Sequence, residues 1–396
     1  MNFDEAALEL HAAHHGKLEV NHTCTIEKSD DLSTAYTPGV AAPCLKIHEH
    51  PEDVYTYTIK SHTIAVVSNG TAVLGLGDIG PEAALPVMEG KSALFKRFGG
   101  VDAFPVCIDA TTPDEVIAAV KAIAPTFGGI NLEDIKSPDC FVIESTLERE
   151  LDIPVFHDDQ HGTAIVVTAA LINALKVVGK DIADVKVVLN GAGAAGTAIL
   201  KMLLAAGATQ VIGVDSKGAI YEGREHLNEF KAELARLTNP AHEKGALADV
   251  IAGADVFIGT SVAGALTPDM VRSMAPDPIV FAMANPVPEI MYDEAVEAGA
   301  AVMATGRSDM PNQVNNLLAF PGIFRGALAV QARDINTEMK LAAARAVAGL
   351  VTDEERSAEY IIPSALEARV ADAVAQAVAQ AAIQTGVARR PEGIDA

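Results

Sequence analysis

The chain is poor in cysteine and in positive charge. Its four cysteines, Cys24, Cys44, Cys107 and Cys140, stand far apart and form no Cys-x-x-Cys. That argues against a disulfide framework or a thiolate zinc site and predicts buried free thiols in a reducing cytoplasm. Lysine and arginine number 29 against 53 aspartates and glutamates, a formal net charge of −24. Such a field repels nucleic acid and anionic membranes, so neither is expected as a partner. It also repels an anionic small substrate, and a site for one needs local cations. The opening Met1-Asn2-Phe3-Asp4-Glu5 has no basic stretch followed by an apolar one, so secretion is not expected. No apolar run is expected to reach membrane-spanning length, because Asn173 and Lys176 interrupt the segment after Thr163. There is no internal repeat and no low-complexity linker.

What is present suits a large core: 49% of the 396 residues are hydrophobic, enough for two domains. Strand patterns at 63–67, 101–108 and 129–135 alternate with helical patterns at 81–98, 113–124 and 141–151. Pro86 falls inside the first helical pattern and predicts a kink or a split. The seam between domains is expected at residues 155 and 156. A helix over 163–178 then leads to the buried-type strand 185–189. Further strand patterns follow at 210–214, 255–258, 279–282 and 301–304. The rhythm predicts an α/β fold. An N-terminal α/β domain (1–155) precedes a Rossmann-type, doubly wound NAD(P)-binding domain (156–396) with a C-terminal helical tail. In that tail Val370, Val374 and Val378 form a narrow apolar stripe that suits packing on the first domain or on a second subunit.

Two Gly-x-Gly-x-x-Gly runs occur. Gly191-Ala192-Gly193-Ala194-Ala195-Gly196 follows a strand, opens a helix and is followed by a strand ending at Asp215, which completes a dinucleotide fingerprint. Gly75-Leu76-Gly77-Asp78-Ile79-Gly80 lacks that context and reads as a turn shaping a cleft wall. Asp215 favours NAD through a ribose hydroxyl. Lys217 could neutralise a 2′-phosphate, so NAD and NADP both stay open.

Carboxylates occur in adjacent pairs inside apolar sequence. Glu133-Asp134 follows one strand pattern, and Asp158-Asp159 lies in His157-Asp158-Asp159-Gln160-His161-Gly162-Thr163 after another. Oxygen ligands of this kind suit Mg²⁺ or Mn²⁺. The flanking His157 and His161 suit support of the ligands or core packing better than zinc. Tyr36 precedes a Pro38-Gly39 turn that can fix its phenol. Lys91 sits in an apolar helical stretch, where burial would lower its pKa and make it a general base.

These motifs together resemble the malic enzymes in their short bacterial form. The resemblance rests on Tyr36-Thr37-Pro38-Gly39-Val40, Leu74-Gly75-Leu76-Gly77-Asp78, Glu89-Gly90-Lys91, Asn131-Leu132-Glu133-Asp134, the 157–163 run, Gly191 to Gly196, Ala284-Asn285-Pro286, and Asn315-Asn316 before Phe320-Pro321-Gly322. They span nearly the whole chain in the family's order. The resemblance implies oxidative decarboxylation of L-malate to pyruvate and CO₂ with NAD or NADP. It implies Lys91 as base, Tyr36 as the acid that protonates C3, and Asp158 as the partner orienting Lys91. It implies Glu133, Asp134 and Asp159 as ligands of Mg²⁺ or Mn²⁺, and Asn285 with Asn315 or Asn316 as contacts of substrate and nicotinamide. A homodimer or higher homo-oligomer is implied as well. One position departs: many malic enzymes carry arginine where this chain has Ala72. Malolactic conversion with retained NAD, a metal-independent amino-acid dehydrogenase and an inactive dinucleotide-binding protein are the alternatives.

Overall fold

Thr63-Ile64-Ala65-Val66-Val67-Ser68 is apolar on both faces, and every one of its residues is buried. A strand buried on both faces suits the middle of a covered parallel sheet, and in the computed structural model, which describes residues 3–73 and 75–392, it takes that place. This strand, β1 (Thr63–Ser68), pairs in parallel with β2 (Asp102–Cys107) and β3 (Gly129–Leu132), and β3 pairs with β4 (Val155–His157). The order is β2-β1-β3-β4. Helices such as Pro81–Leu94 and Asp139–Glu150 make the crossovers.

The second sheet holds β5 (Lys186–Asn190), β6 (Gln210–Asp215), β7 (Gly218–Ala219), β8 (Val256–Gly259), β9 (Ile279–Ala282) and β10 (Val302–Thr305). Its order is β10-β9-β8-β5-β6-β7, parallel except for the antiparallel β6–β7 pair. From β5 the chain passes first to β6 on one side and later to β8 on the other. That reversal makes a crevice at the carboxyl end of β5, where doubly wound sheets bind ligands. The α/β architecture with a Rossmann-type sheet agrees with the sequence reading.

Several details differ from that reading. Pro86 does not split its helix, which runs unbroken over Pro81–Leu94 and continues into a π-helical turn at Phe95–Gly99. The helix expected over 163–178 begins at Asp158, because two carboxylates are favourable at a helix N-terminus. β4 pairs with the first sheet, so it straddles the seam expected at 155 and 156. The Asp158–Val178 helix is, by length and composition, long and apolar enough to cross a membrane, against expectation. It is the core helix of the fold, 67% of its apolar window being buried. Cys24 and Cys44 are exposed, and of the four thiols only Cys140 is fully buried. Leu74, part of the 74–78 motif, lies outside the described residues.

The tail stripe packs within the chain. Val370, Val374 and Val378 on the Arg369–Gln384 helix are buried against the Phe320–Ala329 helix. Gly322 and Gly326 permit that approach: a Cβ at Gly322 would meet the Val374 Cβ at 2.6 Å, and one at Gly326 the Val378 Cβ at 3.0 Å. Close-packed helices tolerate no added volume, so Gly326→Leu should destabilise the fold by roughly 2–3 kcal/mol. Urea unfolding of the variant against the parent protein measures this.

Candidate active site

Lys91 reaches the interior because the Pro81–Leu94 helix turns Ala84, Met88, Lys91 and Ser92 inward, at helical spacing. Its residue exposure is 7%. Nζ donates to Glu133 Oε1 at 2.9 Å and to Asp158 Oδ2, and it lies 4.0 Å from the centre of the Phe320 ring. Glu133 and Asp134 follow the carboxyl end of β3, and Asp158 and Asp159 follow the carboxyl end of β4. Because β3 and β4 are adjacent and parallel, both pairs emerge at one edge. The Asp134 N–H donates to Asp159 Oδ2 at 2.7 Å, and Asn131 Nδ2 donates to Glu133 Oε2 at 2.8 Å. Asp134 has φ 54°, a left-handed conformation that is uncommon outside glycine and that recurs at functional sites.

Two carboxylates therefore pair with one ammonium, a third, Asp159, interacts with it electrostatically, and Asp134 adjoins Asp159 through its backbone. Burial pushes the Glu133 and Asp159 carboxyls above the ordinary range, with Lys91 opposing it. Asp158 is pushed up to about 8, by burial first and with Glu133 and Asp159 adding to it. The expected fall in the Lys91 pKa does not occur. Burial does push it down, but Asp158 and Glu133 push it up further, and the net direction is up. A buried Asp158 oxygen, Oδ1, has no hydrogen-bond partner. This excess of buried, oxygen-borne negative charge fits a hard divalent cation. Among the described residues, the group whose potential ligand atoms all lie within 4.8 Å of one another is a different one, Glu144, Glu148 and His161. His161 there is hydrogen-bonded to Glu144, and His157 Nε2 lies 3.3 Å from Asp159 Oδ2.

Asn316 donates its side-chain amide to Asp158 Oδ2, which brings it to the cluster. Asn315 instead accepts the Leu317 N–H at 2.9 Å and caps a short 3₁₀ turn, so its Oδ1 is committed. Asn285 is exposed beyond the carboxyl end of β9, with its amide on the Met283 carbonyl at 3.3 Å. Tyr36 is not brought in by its own chain's packing: it is 67% exposed. At the carboxyl end of β1 the Gly70 N–H donates to Ser68 Oγ and the Asn69 amide donates to the Ala110 carbonyl. The loop carrying the first glycine run adjoins the cluster, since the Ala72 N–H donates to the Asp134 carbonyl at 3.0 Å.

The second glycine run lies at the crevice beside β5. Gly191 has φ 116°, and a Cβ there would meet the Thr260 carbonyl oxygen at 2.5 Å. The Ala194–Ala205 helix starts inside the run, and Gly193 offers no side-chain cap to its first N–H groups. That combination suits a pyrophosphate. Glu289, fully buried, accepts from Ser261 N–H at 2.7 Å and Ala284 N–H at 3.0 Å, which ties the loops after β8 and β9 together. Asp215 closes β6 as expected, but its ion-pair partners are Arg224, bidentate at 2.8 and 2.7 Å, and Lys231 at 2.7 Å. Lys217 contributes its backbone N–H, at 2.9 Å, and its residue is exposed. Arg224, Lys231 and Glu289 escaped the sequence reading because none sits in a chemical motif that would mark it. Phe320, although part of the Phe320-Pro321-Gly322 motif, was not assigned to the site because its place under the ammonium is set by the fold.

A dinucleotide cradle on one sheet and a proton-handling lysine on the other define a class, the dinucleotide-dependent oxidoreductases. Residues 15–148 match the family profile described as "Malic enzyme, N-terminal domain", and residues 160–383 that described as "Malic enzyme, NAD binding domain". The chain belongs to the malic enzyme family. It is 60% identical over 390 residues to the bifunctional malic/malolactic enzyme of Bacillus subtilis, covering 98% of this chain and 95% of that protein. It is 61% identical over 375 residues to the NAD-dependent malic enzyme of Geobacillus stearothermophilus, covering 95% and 78% respectively. Its fold matches the crystal structure of malic enzyme from Pyrococcus horikoshii with a TM-score of 0.93 at 50% identity, over 98% of this chain and 92% of that one.

The Asp215 triad makes a pH prediction. Burial pushes this carboxyl up, but hydrogen bonds from Arg224 and Lys231 outweigh it and hold the pKa at about 2. The folded value is depressed, so its stabilisation is complete above the ordinary aspartate value of about 3.9 and is lost as pH falls through the folded value. Asp215→Asn should therefore flatten the acid limb of the stability curve between those two values, as read from denaturant midpoints across that range.

Proposed function

We propose that this protein oxidises L-malate to pyruvate and CO₂ while reducing NAD or NADP, with Mg²⁺ or Mn²⁺ at the acidic cluster. The observation that carries the reading is Lys91, an ammonium buried between Glu133 and Asp158 amid an excess of carboxylates. Glu133, Asp134 and Asp159 would hold the cation, which when bound would polarise the C2 oxygen and stabilise the charge that develops there as CO₂ departs. The cradle at Gly191 to Gly196 would hold the pyrophosphate of the dinucleotide, which when bound would supply a hydride acceptor for C2.

The chain's own groups move the protons. Lys91 accepts the proton of the C2 hydroxyl. It does so in its neutral form, and Asp158, hydrogen-bonded to Nζ, orients the amine. Tyr36 delivers a proton to C3 after decarboxylation. One proton leaves O2 and one arrives at C3, so malate and oxidised cofactor give pyruvate, CO₂ and reduced cofactor with no net proton. Asn316 holds Asp158 and orients the substrate with Asn285. At the adenosine end, Arg224 and Lys231 outnumber Asp215, which leaves positive charge to receive a 2′-phosphate, so both cofactors are expected to serve. The exposed thiols of Cys24 and Cys44 suit a cytoplasmic enzyme.

The reading includes a homodimer, and Tyr36 is the reason. The helices Phe3–His14, Ser29–Ala35 and Ala41–Glu49 bury no residue in their own chain. Phe3, Leu8, Leu32, Tyr36 and Leu45 on and beside them are more than half exposed. An arm of this kind suits docking on a second copy, where Tyr36 would serve the partner's Lys91. Mixing Tyr36→Phe protein with Lys91→Ala protein, each inactive alone, should then restore activity to about a quarter of the sites after subunit exchange, because each mixed dimer has one intact centre. No recovery on mixing would place Tyr36 and Lys91 in the same subunit's site.

A malolactic second reading is favoured by the name of the Bacillus subtilis relative; lactate would form with the cofactor retained. The test is cofactor reduction with L-malate, with Mn²⁺ and with EDTA, while pyruvate and lactate are assayed. Metal-dependent reduction matched by pyruvate is expected. Lactate without reduced cofactor would replace this reading with the second. Lys91→Ala should lower kcat by about 10³-fold with NADH still bound; a near-normal kcat would remove it as base.

A further inference from the structure

The Asp158–Val178 helix has no N-terminal side-chain cap of its own, since His157 makes none. A carboxylate from a different helix takes that place. Glu144, on Asp139–Glu150, is 5% exposed. Its Oε1 accepts the His157 backbone N–H at 2.7 Å, and its Oε2 accepts the Gln160 amide at 2.8 Å. The His161 ring nitrogen Nε2 lies 3.0 Å from Oε1 and 3.1 Å from Oε2. One side chain therefore gathers donors from the last residue of β4 and from the third and fourth residues of the helix. Between those anchors lie Asp158 and Asp159, the two residues through which this joint meets Lys91 and Asp134.

We propose that Glu144 is a positioning residue for catalysis: it clamps the β4–helix joint from behind and sets where Asp158 and Asp159 stand relative to Lys91. The inference rests on the functional reading above. Burying a further carboxylate beside an acidic cluster is unfavourable, and an apolar residue would fill the space more cheaply. What only a carboxylate supplies is acceptance of all these donors at once, with negative charge at a helix N-terminus. A glutamine there would turn an N–H₂ toward donors that need an acceptor. The same geometry gives His161 and Gln160 their role, which is to hold Glu144 rather than to touch substrate. Displacements of about an ångström at a catalytic group can cost about 100-fold in rate, so the clamp has a measurable consequence.

The experiment compares wild type, Glu144→Gln and the exchange double variant Glu144→Gln with Gln160→Glu, which restores a carboxylate to the cluster from the other side. Three readings are taken: kcat with L-malate, the Kd of NADH by fluorescence, and amide hydrogen exchange of the segment 157–161. The expected result for Glu144→Gln is a kcat lowered roughly 30-fold to 100-fold with unchanged NADH affinity. Exchange should be faster at 157–161 and unchanged elsewhere. The double variant should recover about tenfold of the lost kcat, following the non-additivity of residues in contact. A wild-type kcat in Glu144→Gln, unchanged exchange at 157–161, or exchange accelerated throughout the chain would each overturn the proposal. If Glu144→Gln does not fold, Gln160→Met removes a single donor and carries the test: a several-fold lower kcat with local exchange supports the clamp, and no change in either overturns it. A wild type that never oxidises malate would sink the functional reading instead, and the exchange measurement would still judge the clamp.

Discussion

An ammonium enclosed by carboxylates in the protein interior is the constraint on which the rest of this structure depends. Lys91 and Asp158 are both almost wholly removed from water, and breaking such a pair by removing one partner commonly costs about 3–5 kcal/mol. The charges do not balance, because Glu133 and Asp159 act on the same ammonium. A fold selected for stability alone would fill this space with apolar side chains. The imbalance is a sign of chemistry, because groups perturbed by burial and by neighbouring charge, as Asp158 is, cluster at functional sites.

Holding that imbalance in place demands a rigid surround, and the topology supplies it. β3 and β4 lie side by side and parallel, so their carboxyl ends deliver two acidic pairs to one edge. The Asp158–Val178 helix then runs from the end of β4 through the core. It packs on the Ala194–Ala205 helix of the nucleotide domain and on Thr337–Gly349 near the C-terminus. The Phe320–Ala329 helix sits against the π-helical turn that follows Lys91's own helix, and Phe320 forms the aromatic face beneath the ammonium. One hydrophobic cluster joins residues from both sheets and the tail. The two halves are thus packed as one body about the acid cluster, and the N-terminal arm stands apart with its apolar residues exposed.

Much of this was legible in the residues. The largely apolar β5 followed by Gly191 to Gly196 marked the nucleotide crevice, because Gly191 and Gly196 answer to close backbone approaches at the strand-to-helix turn. The acidic pairs stood out as pairs, but only the parallel pairing of β3 and β4 brings them to one edge. The strength of Lys91 as a base was misjudged: burial alone predicts a lowered pKa, and only the proximity of Glu133 and Asp158 reverses the sign. Asn315 looked equivalent to Asn316, yet a one-residue step turns one side chain into a turn cap and the other toward Asp158. Asp215 was read with Lys217, the near neighbour in sequence, while Arg224 and Lys231 reach it through the fold.

The sequence by itself determined the periodic elements, the crevice motif and the chemical types available to the site. These follow from short-range steric and hydropathic rules that act within a few residues. Only the tertiary structure decided which charges meet, and with that the protonation of Lys91, the counter-ions of Asp215 and the clamp on the Asp158–Asp159 joint. Electrostatic energies depend on distance and on removal from water, and both are set by packing between segments tens to hundreds of residues apart.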